Sequence, residues 1–474
     1  MMRHPTKEAP TPKRSVVNVV LVSCYELGRQ PFGLASPAAW LHEAGVPVTC
    51  ADLSVQALPE SVIASADLVA FYVPMHTATR IAINVAERVT QINPHAHLCF
   101  YGLYAPVNEG YLRKLGVRTI LGGEFEAGLV ALAKRLSANA REDTLQAEPV
   151  ISLDRQKFLV PDRSGLPDLS QYAYLNLGAG TRRVVGYTET SRGCKHLCRH
   201  CPIVPVYKGK FRIVQREVVL EDIRRQVAAG ARHMTFGDAD FLNGPGHALA
   251  IINDLHREYP DLTYDVTIKI EHLLKHCDLL PALRDTGCLF VTSALESFDG
   301  EILEILDKRH TADDVRQVVS LFEEVGLTLN PTFVAFSPWT TLEGYRDFLA
   351  TILELNLVDN VAPIQYAIRL LVPAGSKLLE LTGVRQLVGD FDEAALCYPW
   401  ANPDPRVDRL HSDVLEVVKD FQSKGNSRRE IFGEVWKLAH EVYAARALNS
   451  LRVLELDEIP PRELLPYLSE PWFC

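Results

Sequence analysis

The 474-residue sequence contains no run of about 18 apolar residues, which argues against a membrane-crossing helix. It has no surplus of positive charge either. The 49 Lys and Arg against 59 Asp and Glu leave a formal charge of −10, which disfavours nucleic acid or an anionic membrane as the main partner. An export signal is also missing. Residues 1–15 are polar, basic and proline-containing and read as a flexible lead-in; the apolar run Val16–Val22 behind them is too short and too strand-like for a signal peptide. Ten cysteines without such a signal fit a reducing cytoplasm, where thiols stay free or bind metal. What is present, 47% hydrophobic and 23% charged residues, describes a soluble globular protein, and the length calls for two or three domains.

One stretch organises the rest: Thr190-Ser191-Arg192-Gly193-Cys194-Lys195-His196-Leu197-Cys198-Arg199-His200-Cys201-Pro202. Cys194, Cys198 and Cys201 stand at Cys-x3-Cys-x2-Cys spacing just after a strand-like run, Val184–Tyr187. Three thiols in so short a loop can converge on one centre. Thiolates hold iron–sulfur clusters, normally four per cubane, so three leave one iron open to bind a substrate directly. His196 and His200 in the same loop keep a closed Cys3His zinc site as an alternative. A disulfide framework is disfavoured, because three clustered cysteines cannot pair off.

Along the chain, short apolar runs alternate with helical patterns twice over. In residues 16–137 the strands expected are Val16–Val22, Val46–Ala51, Leu68–Val73, His97–Tyr101 and Arg118–Leu121. Helices are expected at Pro37–Ala44, Thr77–Ile92, Tyr111–Leu115 and Gly123–Leu136. That pattern predicts a doubly wound α/β domain, with ligands beyond the carboxyl ends of its strands. Residues 138–183, polar and Pro/Gly-rich, read as a linker. Residues 184–380 alternate again. Strands are expected at His233–Phe236, Leu262–Ile270, Leu289–Ala294, Leu327–Val334 and Ile364–Leu370, which predicts a partial (β/α)6 barrel whose site lies at the strand carboxyl ends. Residues 381–474 form a small helical region, with helices at Val407–Ser423 and Arg429–Ala447.

The cysteine loop resembles that of the radical S-adenosylmethionine (radical SAM) superfamily, in which a 4Fe-4S cluster binds SAM at its unique iron. The resemblance implies Cys194, Cys198 and Cys201 as cluster ligands. It implies SAM contacts from Gly237, Asp238 and Asp240, which stand where the superfamily has a Gly-Gly-Glu turn. Ser293 and Glu296 occupy the place of ribose and methionyl contacts, and His200 that of an adenine-packing aromatic. Lys269-Ile270-Glu271-His272 and Pro373-Ala374-Gly375-Ser376 also resemble radical SAM stretches. Residues 16–137 look like the cobalamin-binding domain of one radical SAM class, with Gly122-Gly123 after the last strand in place. The Asp-x-His-x-x-Gly signature for the lower axial histidine is absent, and His76 is a conceivable substitute. Cobalamin is therefore carried as an open cofactor question beside the 4Fe-4S cluster and SAM.

Several stretches together resemble one family over nearly the whole chain. They are Gln30-Pro31-Phe32-Gly33-Leu34-Ala35-Ser36, Val73-Pro74-Met75-His76-Thr77, Cys194 to Tyr207, Phe236-Gly237-Asp238 and the ending Glu470-Pro471-Trp472-Phe473-Cys474. That family is the radical SAM group with a Cys-(Cys or selenocysteine)-Ala-Glu-Pro tail, which includes the arsinothricin biosynthesis enzymes of ArsL type. Such tails continue where this chain stops, so either the tail is shorter or a selenocysteine codon ended the reading frame. The resemblance implies transfer of the 3-amino-3-carboxypropyl group of SAM to trivalent arsenic, with an electron donor such as flavodoxin or ferredoxin. Soft thiolates suit arsenite, so Cys474 is the expected catalytic thiol, with Cys277, Cys288 and Cys397 as further candidates. Two other readings stand beside it: a cobalamin-dependent radical SAM methyltransferase and a zinc-bound non-catalytic scaffold.

Overall fold

The computed structural model describes residues 17–138, 147–178, 180–444 and 467–468. Its first sheet contains β1 (Val19–Ser23), β2 (Val48–Asp52), β3 (Leu68–Tyr72), β4 (His97–Tyr101), β5 (Thr119–Gly123) and β6 (Ile151–Ser152). All pair in parallel, in the order β2-β1-β3-β4-β5-β6. Every residue of β1, β3 and β4 is buried. That is why these strands read as unbroken apolar runs rather than as alternation: both faces are covered. Leu34, Ala38, Leu41, Leu129 and Leu132, from helices Phe32–Glu43 and Glu126–Ser137, pack on one face. Ala82, Ala86 and Val89 of helix His76–Ile92 pack on the other. The chain direction across the sheet reverses between β1 and β3, the switch point where such sheets open a crevice.

The second sheet begins with β7 (Tyr174–Asn176) and β8 (Arg182–Thr188). Then come β9 (Ser191–Gly193) and β10 (Phe211–Ile213), an antiparallel pair that brackets the cysteine loop. The sheet resumes with β11 (His233–Phe236), β12 (Thr263–Thr267), β13 (Cys288–Glu296) and β14 (Leu329–Phe333), and β15 (Tyr467–Leu468) lies antiparallel on β7. The order is β14-β13-β12-β11-β8-β7-β15, and β8 to β14 are parallel neighbours. The fold is thus α/β, a doubly wound domain followed by a partial radical SAM-type barrel.

One expected strand is corrected. Ile364–Leu370 is not a sixth strand: residues Pro363–Tyr366 form a 3-10 turn, and only Arg369 bridges to Phe336. Pro363 has no N–H to donate to a ladder. The Gln365 side chain takes its place against the neighbouring edge, accepting from the Phe333 N–H at 2.7 Å. Helices Pro405–Ser423 and Arg428–Ala444 pack on this end of the barrel. Val407, Leu410, Val414 and Val418 recur at helical spacing and join Ile431, Phe432 and Val435 in the barrel core.

The expected linker contains β6 and β7 and also ties the two sheets together. Arg163 binds Asp222 through Nε and Nη2 at 2.8 and 3.0 Å, and donates to the Tyr187 carbonyl at 2.7 Å. Arg163 also donates to Gln30 Oε1 at 2.9 Å, so the segment joins the stretch after β1 to the barrel.

Candidate active site at the joined strand ends

The cysteine loop leaves β9 through Gly193, whose φ of +79° is a left-handed conformation that glycine adopts freely; a Cβ there would also overlap the Tyr207 ring. The loop is then tied down at both sides. Lys195 N–H donates to Asn243 Oδ1 at 3.3 Å, and Arg199 N–H to the Leu306 carbonyl at 2.9 Å. The Arg199 guanidinium caps the carbonyls of Glu304 and Ile305, each at 2.9 Å, where helix Gly300–Ile305 ends. Its own carbonyl accepts from Ser376 at 3.2 Å.

Burial pushes the free thiols of Cys194 and Cys201 up to about 11 and about 12. A dry pocket of this kind keeps thiolates only against a metal cation, so the donor set suits iron. Its width separates the two metal readings. Among the described residues, the one group of three His, Cys, Asp or Glu whose ligand atoms all lie within 4.8 Å is His196, Asp240 and His272. The sulfurs of Cys194, Cys198 and Cys201 are therefore not all within 4.8 Å of one another, whereas a zinc tetrahedron with 2.3 Å bonds holds its ligands about 3.8 Å apart.

The other expected residues fall around the loop. Gly237 follows β11 and packs under Tyr187, whose ring would overlap any Cβ there. Asp238 is bound within the loop: it accepts from Thr190 N–H and Oγ1 and from Ser191 Oγ at 2.9, 2.6 and 2.6 Å, while burial raises it to about 6. Asp240 caps the turn at Leu242 N–H (3.0 Å) and lies 3.2 Å from His196 Nε2 and 2.8 Å from His272 Nδ1. Burial favours its neutral form, but the two histidines hold it below the usual carboxylate range. Both aspartates thus shape the loop. Ser293 is fully buried in β13, and its Oγ has no hydrogen-bond partner.

Glu296 ends β13 at a bulge with φ of +67°, strained for a residue with a Cβ and typical of functional sites. It accepts from His200 Nε2 at 3.0 Å and from Lys308 at 3.3 Å. Burial favours its neutral form, yet Lys308 and His200 hold it at about 2. His200 Nδ1 is left buried and unpartnered. Those two orphaned atoms, Ser293 Oγ and His200 Nδ1, suit a polar cofactor laid across the strand ends.

Sequence reasoning missed the strongest ionic feature. Arg192 is buried between Glu126 (2.6 Å), Glu189 (2.8 Å) and Glu124 (3.4 Å), and its guanidinium lies over the rings of Phe158, Phe125 and Phe32. A cavity of about 200 Å³ opens beside it, walled by Glu26, Arg29, Tyr72, Glu189, Arg192 and Tyr207 among others. It occupies the β1/β3 switch point and borders the start of the cysteine loop. Lys308 was missed as well. No local pattern marks it, since its role comes from Asp307 and Arg309, both left-handed, turning it inward. Of the other thiols, Cys288 starts β13, at the end opposite Glu296, and Cys277 is exposed. His76 Nε2 lies 2.6 Å from the Ala395 carbonyl, and burial lowers its pKa. Cys474 lies outside the described residues.

Residues 188–343 match the Radical SAM superfamily, so the chain carries a radical SAM domain, the class that uses a 4Fe-4S cluster and SAM. Among particular relatives, it is 26% identical over 299 residues to the tRNA-2-methylthio-N(6)-dimethylallyladenosine synthase of Desulfosudis oleivorans, covering 57% of this chain and 59% of that one. It is 23% identical over 325 residues to the hopanoid C-3 methylase of Methylococcus capsulatus, covering 65% and 62%. The chain thus spans about three fifths of the curated relatives it matches. Its fold is similar to that of the cobalamin-dependent SAM radical enzyme OxsB, solved with aqua-cobalamin and SAM, at a TM-score of 0.69 and 13% identity over 91% of this chain and 70% of that one. That last likeness bears out the cobalamin-binding-type fold of the first domain.

Cobalamin itself is a matter of room. The cavity of about 200 Å³ is below the roughly 300–1,000 Å³ common for drug-sized ligands, and a corrin is larger than those. Tyr72, Phe125 and Tyr207, each 7% exposed, take up the space at the strand ends. In this arrangement the residues do not fit a corrin, and no step below runs through one.

Proposed function

We propose that this protein is a transferase-type radical SAM enzyme that moves the 3-amino-3-carboxypropyl group of SAM to trivalent arsenic, forming a C–As bond. The observation that carries the SAM reading is the three-cysteine loop between β9 and β10, together with two buried, unpartnered polar atoms, Ser293 Oγ of β13 and His200 Nδ1 of the loop itself. Cys194, Cys198 and Cys201 would hold the cluster, which supplies the electron that splits a C–S bond of the sulfonium. The chain's own residues then position and exclude. Lys308 and Glu296 give a buried pair of fixed charge on the β13 side, able to meet the carboxylate and ammonium of SAM. Asp238 and Asp240 tie Thr190 at the start of the loop and His196 within it to the turn after β11. Tyr187 and Tyr207, both buried and lining the cavity, keep water from the space between the sheets.

The acceptor assignment rests on the whole-length family resemblance and on a cavity whose size suits a small inorganic acceptor. A second reading, a cobalamin-dependent methyltransferase, is favoured by the first domain's sheet order and by the OxsB-like fold. Incubating the reduced enzyme with SAM and arsenite distinguishes them by the nucleoside released. Methylthioadenosine with an arsenical amino acid is the expected result. 5′-Deoxyadenosine or S-adenosylhomocysteine overturns it in favour of the second reading.

A further inference from the structure

We infer that the interdomain cavity is the acceptor-substrate site, and that Glu26 and Glu189 select an uncharged, hydroxyl-bearing small molecule and reject anions. This deepens the proposed function, on which the identity of arsenous acid as acceptor rests.

The cavity is a built site. The turn that follows β1 is fixed by Arg29 N–H donating to the Glu26 carbonyl at 3.0 Å, and by the Gly28 carbonyl accepting from Ala173 N–H at 2.8 Å. Leu27 and Gly28 both take left-handed backbone conformations there, with φ of 52° and 68°. The turn lays Glu26 against the cavity, 6% exposed, with Oε2 buried and without a hydrogen-bond partner. Arg29 is held flat on the Tyr187 ring, its guanidinium carbon 4.9 Å from the centroid, and its Nε is likewise buried and unpartnered. A buried acceptor left without a donor costs about 1–3 kcal/mol, which a donating ligand recovers.

The charge balance decides what kind of donor. Two carboxyls, Glu26 and Glu189, line this space with Arg192 and Arg29, and two more, Glu124 and Glu126, bind Arg192; the nearby Arg163 is committed to Asp222. Arg192 already meets three of the four. Burial pushes Glu26 well above the ordinary carboxylate range, and Glu124 and Glu189 up to about 7, so this dry space already disfavours negative charge. An entering anion would meet the same desolvation penalty, whereas a hydroxyl group donates to the unpartnered Glu26 Oε2 without adding charge. Trivalent arsenous acid, uncharged at neutral pH and carrying three hydroxyls, has that chemistry and fits the volume. Position completes the case, because Arg192 and Gly193 of the cavity wall lead directly into Cys194.

The test uses the full-length, cluster-loaded enzyme with SAM and compares wild type with Glu26→Gln and Glu189→Gln. The probe is sodium arsenite at pH 7, read by equilibrium dialysis and by the KM for arsenical product. Arsenic held by cysteines is common to all three proteins and cancels in the difference. The expected result is at least a tenfold weaker arsenite affinity and a tenfold higher KM in each variant. The change that SAM causes in the cluster's EPR spectrum stays as in wild type, and a hundredfold excess of phosphate does not compete. Unchanged arsenite affinity in both variants, or competition by phosphate, overturns the inference. If the variants form the arsenical product with the wild-type KM, the transfer reading holds and the cavity assignment is wrong. If they lose arsenite binding while wild type yields no arsenical product, the cavity assignment holds and the transfer reading is wrong.

Discussion

Two buried ionic groupings flank the cysteine loop, and they are balanced in opposite ways. At the end of β13 one carboxylate, Glu296, has two donor partners, His200 at 3.0 Å and the Lys308 ammonium at 3.3 Å. Between the sheets one guanidinium, Arg192, has three carboxylates. Desolvation opposes charge in both places. At Glu296 Lys308 and His200 overrule it and hold the group at about 2; at Glu124 and Glu189 burial prevails over Arg192, and both rise to about 7. The β13 grouping is a finished ion pair that fixes geometry. The interdomain one is short of donors, which is the condition of a site that expects a ligand.

The largest effect comes from breaking what both groupings serve. Cys194→Ala is expected to lower anaerobically bound iron from about four per chain toward zero and to abolish SAM cleavage. Iron analysis and visible absorbance measure this, and retention of four irons with a normal spectrum would remove the cluster from this loop.

That expectation was legible in the sequence, because cysteine spacing is local and three ligands within eight residues leave a periodic trace. The doubly wound domain was legible for the same reason: fully buried parallel strands appear as short apolar runs. Where spacing is not local, the sequence was silent. Arg192 meets Glu124 and Glu126 across 68 and 66 positions, and nothing in either segment names the other. Ile364–Leu370 failed in the reverse direction, since an apolar run carries no record of whether Pro363 and Gln365 will replace a ladder with a turn.

The next prediction sharpens the contrast on the interdomain side. Arg192→Met leaves Glu124, Glu126 and Glu189 buried without their guanidinium. The expected loss is about 3–5 kcal/mol of stability, because removing one partner of a buried pair strands the other charge. A denaturant midpoint at pH 7 measures it, and lowering the pH toward 5, which neutralises the carboxyls, should recover part of the loss. A variant as stable as wild type would show that the grouping is not an ionic one.

The two groupings also predict opposite pH dependences. Glu124 and Glu189 have folded values above the ordinary 4.5, so the folded state binds their protons more tightly; their stabilisation is full below pH 4.5 and is lost as pH rises toward about 7. Glu296 is depressed from 4.5 to about 2, so its contribution is full above pH 4.5 and is lost as pH falls toward 2. Glu296→Gln should therefore cost about 3 kcal/mol at neutral pH, since each tenfold change in proton affinity is worth roughly 1.4 kcal/mol, and should flatten the acid limb of the stability curve. Glu189→Gln should flatten the limb between 4.5 and 7 instead. Equal slopes in the two variants would erase the distinction between the sites.

The smallest effect tests whether the finished side leaves room for the cofactor. Ser293 is fully buried in β13, yet its hydroxyl has no protein partner, so Ser293→Ala removes no hydrogen bond within the folded chain. Stability should therefore stay within about 0.5 kcal/mol of wild type, as expected where no named destabilising mechanism applies. A hydroxyl that bonds SAM contributes about 0.5–1.5 kcal/mol, so the variant should bind SAM between about two- and tenfold more weakly. Isothermal titration of SAM into the cluster-loaded enzyme, beside a melt of the same sample, separates the two quantities. Unchanged SAM affinity with lowered stability would make Ser293 a packing residue of β13, and would leave His200 Nδ1 as the orphaned polar atom on that side of the loop.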